Sequence, residues 1–408
     1  MATTLTQPLT ITGEALRGLS HDELLERYRQ LPVPMTSEEH WRFTDLAGFD
    51  PDSFAAGTQG SEPQTASLLD PMELSALVSV TECSLTVEHA VRGIRIEQLR
   101  QDDERLGVLV GAEEKFAAHN AAMWSTGLLV IVPKGLELAL PIYVRIANSV
   151  ERGSLFWRLL VVAEEQSRAT VIEEYVSPTA DLRGYSNAAV ELFVDQAAKL
   201  EYVSIQNLSL ETWHFASHRA RVARDAELDW VAGGFGSKKG KTRIQNDLVG
   251  PGATSRVTGA YFADGSQHLD YDTFQEHAAP STTSDFAFKG ALRDAATAVW
   301  RGMIRVEPEG QKTNAYQENR NLILSDQAHA DSIPGLEIMA NDVRCTHGAT
   351  SSPVNRDELF YCMARGLSRG AAERLILRGF FQDVLDRIEL EPVREAVATA
   401  LEARIPAA

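Results

Sequence analysis

Cysteine is scarce in this chain: there are three in 408 residues, Cys83, Cys345 and Cys362, and no pair has CxxC spacing. An odd number of widely spaced cysteines excludes a disulfide framework and favours a reducing compartment. Cys83 and Cys362 have apolar neighbours, which predicts that both are core residues. The first fourteen residues lack the cationic segment and apolar core of a signal peptide. We therefore expect a cytoplasmic protein.

Positive charge and long apolar runs are also lacking. Lysine and arginine number 39 against 57 aspartates and glutamates, so the net charge is −18. This balance argues against nucleic acid and against an anionic membrane surface as partners. The one dense basic run, Lys238–Lys241, is flanked by glycine and predicts a solvated turn. The longest apolar run, 127–133, is too short to cross a bilayer.

Familiar catalytic motifs are missing as well: there is no Walker A loop, GxSxG elbow, HExxH pair or GxGxxG fingerprint. Gly233–Gly236 has no following helix and is interpreted as a wide turn rather than a phosphate cradle. His214 and His218 lie in a strand-like pattern, where they would stand about 13 Å apart, so a structural role is favoured over metal binding. His277 is either buried and hydrogen-bonded or faces a partner, and His329 is predicted in an exposed loop.

What the chain does contain, between residues 125 and 350, is a succession of strand-like alternating runs. An alanine precedes each of four such runs, at 169, 198, 226 and 253, with steps of 29, 28 and 27. This near-constant period predicts successive rungs of a β-solenoid. Evenly spaced hairpins of a β-sandwich are the alternative. Hairpin signals are scarce, with Asp264-Gly265 the one example, which favours the solenoid.

Helical patterns flank this zone. The pattern predicts an N-terminal helical region at 1–70, a β-helix core at 71–352 and a C-terminal helical domain at 353–408. In the first, Ser20 would cap a helix over His21–Tyr28, residues 37–44 would form a turn or short helix, and 57–64 is linker-like. In the last, helices are predicted over Asp357–Arg365, after Ser368, and from Pro392 to Glu402. The apolar positions of the second helix are Ala372, Leu375, Ile376, Phe380, Val384, Leu385 and Ile388. An exposed apolar stripe here would mark an interface.

The strongest candidate site is the pair Cys345 and His347. In an extended strand, residues i and i+2 lie on one face, so thiol and imidazole would project together. This donor set suits iron, zinc or an iron–sulfur centre. The alternative is a structural cysteine beside an ordinary histidine. The chain has too few other soft ligands to predict a self-contained metal centre.

Segments spread over most of the chain match one known family. They are Glu39–Thr44, Asn120–Ala122, Asn319–Asp326, Leu336–Ile338, Asp342–Thr350, Leu359–Tyr361, Arg365–Leu367, Ala372–Ile376 and Arg378–Phe380. Through them the chain resembles the SufB/SufD family, the scaffold subunits of the SUF iron–sulfur cluster assembly system. The Cys-x-His-Gly-Ala-Thr string at 345–350 and the paucity of cysteines resemble the SufD branch.

The resemblance implies a mainly β protein, with a right-handed parallel β-helix between an N-terminal helical region and a C-terminal helical domain. It implies a non-catalytic scaffold that forms a heterodimer with a SufB-like subunit and allows a homodimer in isolation. It further implies a SufC-like ATPase bound to the C-terminal helices, here at Arg374, Leu375, Arg378, Gly379 and Phe380.

An iron–sulfur cluster would form transiently at the SufB interface, with none stably bound by this chain alone. The family's SufD histidine at that site matches His347, with Cys345 adjacent. Two alternatives stay open: a SufB-like homo-oligomeric cluster scaffold, and a β-solenoid polysaccharide hydrolase or lyase with acids lined along a groove.

Overall fold

The computed structural model describes residues 16, 18–56, 67–69 and 72–405. The first fourteen residues and the linker-like stretch at 57–64 lie outside this described part. Strands make up 45% and helices 17%, in a β-solenoid of about 8 turns with N-terminal and C-terminal helices. The predicted fold class is therefore confirmed. The divisions at residues 70 and 352 stay predictions.

Twenty strands are described, and their bounds are as follows. They are β1 Ala55–Ala56, β2 Ala76–Val80, β3 Leu85–Ala90, β4 Arg95–Gln98, β5 Thr126–Val132, β6 Ile142–Ala147, β7 Gly153–Ala163, β8 Arg168–Val176, β9 Tyr185–Val194, β10 Lys199–Asn207, β11 Trp213–Val222, β12 Glu227–Gly234, β13 Lys239–Leu248, β14 Thr254–Ala263, β15 His268–His277, β16 Thr283–Leu292, β17 Thr297–Val306, β18 Asn314–Ile323, β19 His329–Ile338 and β20 Arg344–Pro353. The helices are α1 His21–Gln30, α2 Lys115–Met123, α3 Arg356–Ala364, α4 Arg369–Leu385 and α5 Glu391–Ala403. Short 3₁₀ turns occupy Glu39–Trp41 and Pro51–Ser53.

Two parallel sheets form the walls of the solenoid. Sheet I runs β4, β5 and then through the odd-numbered strands to β19, with β1 beside β7. Sheet II runs β3, β2, β6 and then through the even-numbered strands to β20. Among the described strands only the pairs β2–β3 and β4–β5 are antiparallel. Because each rung gives one strand to each sheet, neighbours are parallel, and the hairpin-built β-sandwich alternative is wrong.

The alanine period marks the corners between rungs. Ala198, Ala226 and Ala253 directly precede β10, β12 and β14 at one register, and all three are fully buried. Ala169 does not belong to this set, since it is the second residue of β8 and pairs with Leu200. The equivalent corner of that rung is Ser167, also buried. A corner requires a small side chain, and serine satisfies that requirement as well as alanine.

Two sequence interpretations of turns were wrong in part, because the connection between β12 and β13 is limited to residues 235–238. Gly233 and Gly234 belong to β12 rather than to a wide turn, and a side chain at Gly234 would collide with the Tyr271 hydroxyl. The basic run is likewise part of the wall, since Lys239 begins β13. Lys241 is buried and its amine contacts the Asp270 carboxylate at 2.5 Å. Charge alone predicted solvent exposure, but a buried carboxylate on the next rung binds the amine.

Both predicted core cysteines were also misplaced. Cys83 is exposed in the turn between β2 and β3, and Cys362 is only half-buried in α3. Apolar neighbours in sequence did not indicate burial there, because Cys83 lies in a turn and α3 buries none of its residues. His329 is exposed as expected, but it begins strand β19 rather than lying in a loop.

The interior histidines have structural roles, as predicted for His214 and His218. Both are buried in β11, where His214 hydrogen-bonds the Ser186 hydroxyl at 3.1 Å and His218 stacks on Trp230. His277 is buried and its two ring nitrogens bond the hydroxyls of Thr282 and Ser284. Burial lowers the pKa of His277 to about 4, so this ring is neutral inside the solenoid.

The N-terminal region packs on the outside of sheet I. Ser20 caps α1 in a reciprocal capping box with Glu23, as the sequence predicted. The following segment crosses the sheet, where the Thr44 hydroxyl lies 2.9 Å from a ring nitrogen of His268. Trp41 and Phe49 add to an aromatic cluster with Phe116 on the outer face. The predicted short helix at 37–44 is the 3₁₀ turn Glu39–Trp41.

The C-terminal helices cover the outer face of sheet II. Ser368 caps α4 and Pro392 lies in the first turn of α5, as predicted. The buried positions of α4 include Leu377 and Phe381, whereas Leu375 is exposed and Phe380 half-buried. Around the centre of this helix, the apolar positions predicted from the sequence therefore lie one or two residues away from the buried positions. Among the described residues, no helix has the length and apolar character needed to cross a membrane.

Candidate functional site

The C-terminal end of the solenoid is open. Strand β20 is the last of sheet II and pairs with β18 on one side, while β19 is the last of sheet I and pairs with β17. No described strand continues either sheet beyond them. A free strand edge offers unpaired backbone groups to another chain. The candidate site therefore lies at an end where a second subunit could add strands.

Cys345 and His347 lie on β20 and face the same way. Their register partners on β18 are Ala315 and Gln317, which are both buried and point into the solenoid. Cys345 is half-buried against a small apolar cluster that includes Ile304. His347 is exposed because no further rung covers it. The common face predicted from the i, i+2 spacing is thus present in the fold.

The thiol of Cys345 is protonated at neutral pH in this environment. Burial raises its pKa above the ordinary value, against a smaller opposing effect of the Ala315 backbone N–H. Arg344 precedes it on a parallel strand, so its side chain leaves the opposite face. Only the thiolate binds metal, so Cys345 has to lose a proton before it can act as a ligand.

Cys345 and His347 are the two donors that the described residues bring to this site. Within the described residues, no three His, Cys, Asp or Glu side chains are grouped so that they could hold one metal ion. The surroundings are polar instead: Ser332 donates to the Asn319 side-chain oxygen at 2.5 Å, and Asn321 donates to Ser351 at 3.2 Å. This end of the solenoid can therefore contribute ligands, and other ligands would have to come from elsewhere.

Gln317 is a neighbour of the site that the sequence interpretation missed. It pairs with His347 across β18 and β20 and is fully buried. The sequence could have indicated this neighbour, because Gln317 and His347 are one rung period apart, as successive corner residues are. Nothing in its immediate sequence distinguishes this glutamine from a surface residue.

A second candidate surface lies on the C-terminal helices. Helix α3 has no buried residue, and five large apolar side chains of α3, its following turn and α4 are exposed. This α3–α4 apolar patch consists of Phe360, Tyr361, Met363, Leu367 and Leu375. Phe360 is 72% exposed. Apolar surface of this kind marks an interaction site more often than chance exposure does.

Of the residues predicted to bind a partner, Arg374, Leu375, Arg378 and Gly379 lie on one side of α4, related by i+3 and i+4 spacing, and Phe380 lies outside it. Leu375 belongs to the α3–α4 apolar patch, and Gly379 is exposed with open space where a side chain would stand. Arg374 is half-buried, and Arg378 lies 3.7 Å from the Glu402 carboxylate on α5.

Phe380 is used inside the chain. Its backbone carbonyl accepts a hydrogen bond from the Lys289 amine at 2.6 Å, and that amine also lies 4.8 Å from the ring centroid. Phe380 therefore helps to attach α4 to β16, and it is a weaker candidate for partner contact than Leu375 or Gly379.

The comparisons with known proteins decide the family. A profile described as the SUF system FeS cluster assembly, SufBD core domain, matches residues 145–380. An iron–sulfur cluster assembly SufBD family protein of Mycobacterium bovis is 30% identical over 403 residues, covering 95% of this chain and 94% of that protein. The chain belongs to the SufB/SufD family of iron–sulfur cluster assembly proteins. The resemblance drawn from its motifs is confirmed at that level.

Two further SufB/SufD relatives match a smaller part of the chain. A SufBD family protein of Mycobacterium leprae is 29% identical and covers 76% of this chain and 80% of its own length. One from Staphylococcus saprophyticus is 29% identical and covers 70% and 61%, respectively. The region matched by the family profile contains both Cys345 and His347 and most of α4. Both candidate surfaces therefore involve the part of the chain that defines the family.

Proposed function

We propose that this chain is a SufD-type scaffold subunit, without catalytic activity of its own, in a complex that assembles iron–sulfur clusters. A SufB-like subunit would complete the open end, and a SufC-like ATPase would bind the C-terminal helices. The cluster is cargo of this complex rather than a resident cofactor of the chain. The observation that carries the proposal is the position of Cys345 and His347 on the terminal strand of an open solenoid.

The free edges of β19 and β20 support a partner that extends both sheets. Each strand is ten residues long, and the backbone groups of alternate residues face the free edge, while most side chains of β20 are exposed. A partner strand placed beside β20 would stand about 5 Å away, which brings its side chains within reach of Cys345 and His347. Ligands from two chains would then converge on one cluster.

The α3–α4 apolar patch supports a second partner. It lies on α3, its following turn and α4, and α4 packs on sheet II through Leu377 and Phe381. We assign the SufC-like ATPase to this surface, with Leu375, Gly379, Arg378 and Arg374 at its border. ATP hydrolysis there would shift the subunit interface and expose the cluster site.

At the site, the two side chains would have different tasks. His347 presents an imidazole that can bind iron through one neutral ring nitrogen. Cys345 would first have to lose its thiol proton, and burial raises the pKa of that thiol. A metal or a basic group of the partner would favour that loss. His347 is therefore the ligand we assign first and Cys345 the second.

A SufB-like homo-oligomer is the alternative within the family, and it requires this chain alone to hold a cluster. Family membership favours both the SufD-type subunit and the SufB-like homo-oligomer over the polysaccharide hydrolase or lyase. Anaerobic reconstitution of the purified chain with iron and sulfide separates the first two. A stable visible charge-transfer band in the isolated chain would contradict the SufD assignment, and its absence would disfavour the homo-oligomer.

Co-expression with a longer SufB/SufD-family subunit and the ATPase tests the partners directly. We expect a complex containing all three, and a chain that purifies alone under these conditions would refute the proposal. His347→Ala should lower the cluster yield and leave the complex intact. His329→Ala is the matched control, because its exposed imidazole lies on the neighbouring terminal strand β19. Equal yields from the two variants would remove His347 from the mechanism.

A further inference from the structure

On β19, the residues whose backbone groups face the free edge are the even-numbered ones. The N–H of His329 donates to the Ala296 carbonyl at 3.1 Å, and that of Met339, just after the strand, donates to the Val306 carbonyl at 2.9 Å. The register between β17 and β19 is continuous from one of these bonds to the other. In a parallel ladder, alternate residues bond to one neighbouring strand and the residues between them face the other side. The odd-numbered residues of β19 therefore bond to β17, and the even-numbered residues face outward from the open end.

Pro334 is one of these even-numbered residues and lies at the middle of the edge. It is the register partner of Gly302 on β17. Since proline has no N–H, β19 loses no bond to β17 at this position, whereas its free edge lacks a donor there. The remaining edge donors are separated into two short groups, Ala330 with Ser332 and Leu336 with Ile338.

The edge of β20 is uninterrupted over the same length. The N–H of Arg344 donates to the Thr313 carbonyl at 2.9 Å, and the register with β18 is continuous as far as Pro353. The even-numbered residues of β20 therefore bond to β18, and the odd-numbered residues face the free edge. Four successive odd-numbered positions have an N–H there: Cys345, His347, Ala349 and Ser351. Both candidate ligands thus belong to the continuous row of donors.

We propose that Pro334 is a specificity-determining residue of the open end, which directs the main-chain pairing of a partner strand to β20. A partner strand beside β20 finds a donor at every second residue from Cys345 to Ser351. A partner strand beside β19 would bring a carbonyl to Pro334 and leave it without a donor, which weakens pairing about tenfold. The partner is the SufB-like subunit, so this assignment rests on the proposed function. The interruption of the β19 edge itself does not.

Pairing on β20 would place side chains of the partner beside the two candidate ligands. Adjacent strands stand about 4.8 Å apart, and the side chains of directly paired residues leave the same face. A partner residue paired with Cys345 or His347 would therefore project toward the same side as the thiol and the imidazole. Main-chain hydrogen bonds on β20 would thus fix the spacing between ligands from two chains.

Matched proline substitutions at the two edges test this assignment in the complex with the SufB-like subunit and the ATPase. Ala349→Pro removes an edge donor of β20 and none of its bonds to β18, and Leu336→Pro does the same on β19. A glycine precedes each position and tolerates the backbone restriction that proline imposes. We expect Ala349→Pro to weaken binding of the SufB-like subunit about tenfold. Leu336→Pro should bind within about twofold of Leu336→Ala, which removes the side chain alone. Equal losses at the two edges would overturn the assignment of pairing to β20.

Hydrogen exchange of the parent complex is the second measurement if Ala349→Pro does not fold. The edge amides of Cys345, His347 and Ala349 should become protected when the SufB-like subunit binds, because each donates to the added strand. The edge amides of Ser332 and Leu336, on either side of Pro334, should gain less protection. Equal protection on both edges would overturn the proposal without any variant.

Pro334→Ala tests the interruption in the isolated full-length chain. The alanine supplies the missing N–H at the centre of the β19 edge, and a complete free edge is a template for pairing with another copy. We expect the dissociation constant for self-association, measured by sedimentation, to fall about fivefold. Pro308→Ala is the matched control, because Pro308 lies in an exposed turn between β17 and β18. Equal self-association of the parent chain and Pro334→Ala would show that Pro334 does not limit this edge.

These experiments separate the inference from the proposed function. If no complex forms with the SufB-like subunit, the proposed function fails, and the self-association of Pro334→Ala still decides whether Pro334 interrupts the edge. If the complex forms and Ala349→Pro binds as tightly as the parent, the function stands and the assignment of pairing to β20 fails.

Discussion

Lys289 on β16 donates from its amine to the backbone carbonyl of Phe380 on α4, over 2.6 Å. The same amine contacts the Asp383 carboxylate and lies over the Phe380 ring, and its side chain is almost fully buried. One lysine therefore joins the solenoid wall to the helix that carries half of the proposed partner surface. The helices are positioned by sheet II rather than by each other alone.

Replacing Lys289 by methionine should loosen this attachment. A hydrogen bond from a charged donor contributes about 1.5–3 kcal/mol, so we expect a loss of that size in the free energy of unfolding. Chemical denaturation measures the loss, and hydrogen exchange should locate it in α4. Lys199→Met is the matched control, because its pair with Glu227 is exposed and contributes about 0–1 kcal/mol. Equal effects of the two variants would contradict the role of Lys289.

The architecture was accessible from the sequence because a solenoid repeats. A regular period and scarce hairpin signals were enough to predict stacked rungs, and cap residues such as Ser20 and Ser368 located helix starts. The prediction failed where distant residues decide the outcome. Lys241 is buried because Asp270 lies on the next rung, and Leu375 is exposed because α4 turns Leu377 toward sheet II.

The candidate site was predictable in part for the same reason. The spacing of Cys345 and His347 placed both on one face, since strand geometry is local. Whether that face is covered depends on the number of rungs, which the spacing does not contain. The register pairing of Gln317 with His347 follows from the rung period, but nothing in the immediate sequence of Gln317 marks it as a neighbour of the site.

His277 should make the protein sensitive to acid. Its pKa is about 6.5 in the unfolded chain and about 4 in the folded one, because burial disfavours the charged ring. Between these values the unfolded state binds the extra proton, so stability falls as the pH decreases from 6.5 to 4. The expected slope is about 1.4 kcal/mol per pH unit for this residue. Urea denaturation across this range should give a shallower slope for His277→Gln, with His329→Gln as control, and an unchanged slope would contradict the assignment.

Glu276 should act in the opposite direction. Burial, together with Asp247 and Glu307 nearby, raises its pKa from 4.5 to about 7. Between those values the folded state binds the extra proton, so this carboxyl costs stability as the pH rises from 4.5 to 7. At pH 8 the free energy of unfolding of Glu276→Gln should therefore exceed that of the parent by about 1–2 kcal/mol, a value reduced for solvent screening. Chemical denaturation measures this difference. The advantage should vanish at pH 5, and an equal gain at both values would show that charge is not its cause.

Gly379→Ala separates stability from partner binding. Gly379 lies within α4 with open space around it, and alanine favours a helix interior by about 1 kcal/mol over glycine. The variant should be more stable in denaturation and should bind the ATPase more weakly if the new methyl group intrudes on the contact. Gly366→Ala is the contrast, because Gly366 has φ +93° and alanine there should lower stability. Stabilisation without any change in binding would place Gly379 outside the contact.

Phe360 provides the sharpest test of the α3–α4 apolar patch. Its ring is 72% exposed and α3 buries none of its residues, so an aspartate should cost the fold little. If the patch binds the ATPase, Phe360→Asp would place a charge in a desolvated contact and weaken the complex at least tenfold, as measured by calorimetry. Met35→Asp is the matched control, since Met35 is 63% exposed but lies in the N-terminal region. Equal affinity of the two variants for the ATPase would move that partner to another surface, because a buried carboxylate at a true contact cannot be neutral in its effect.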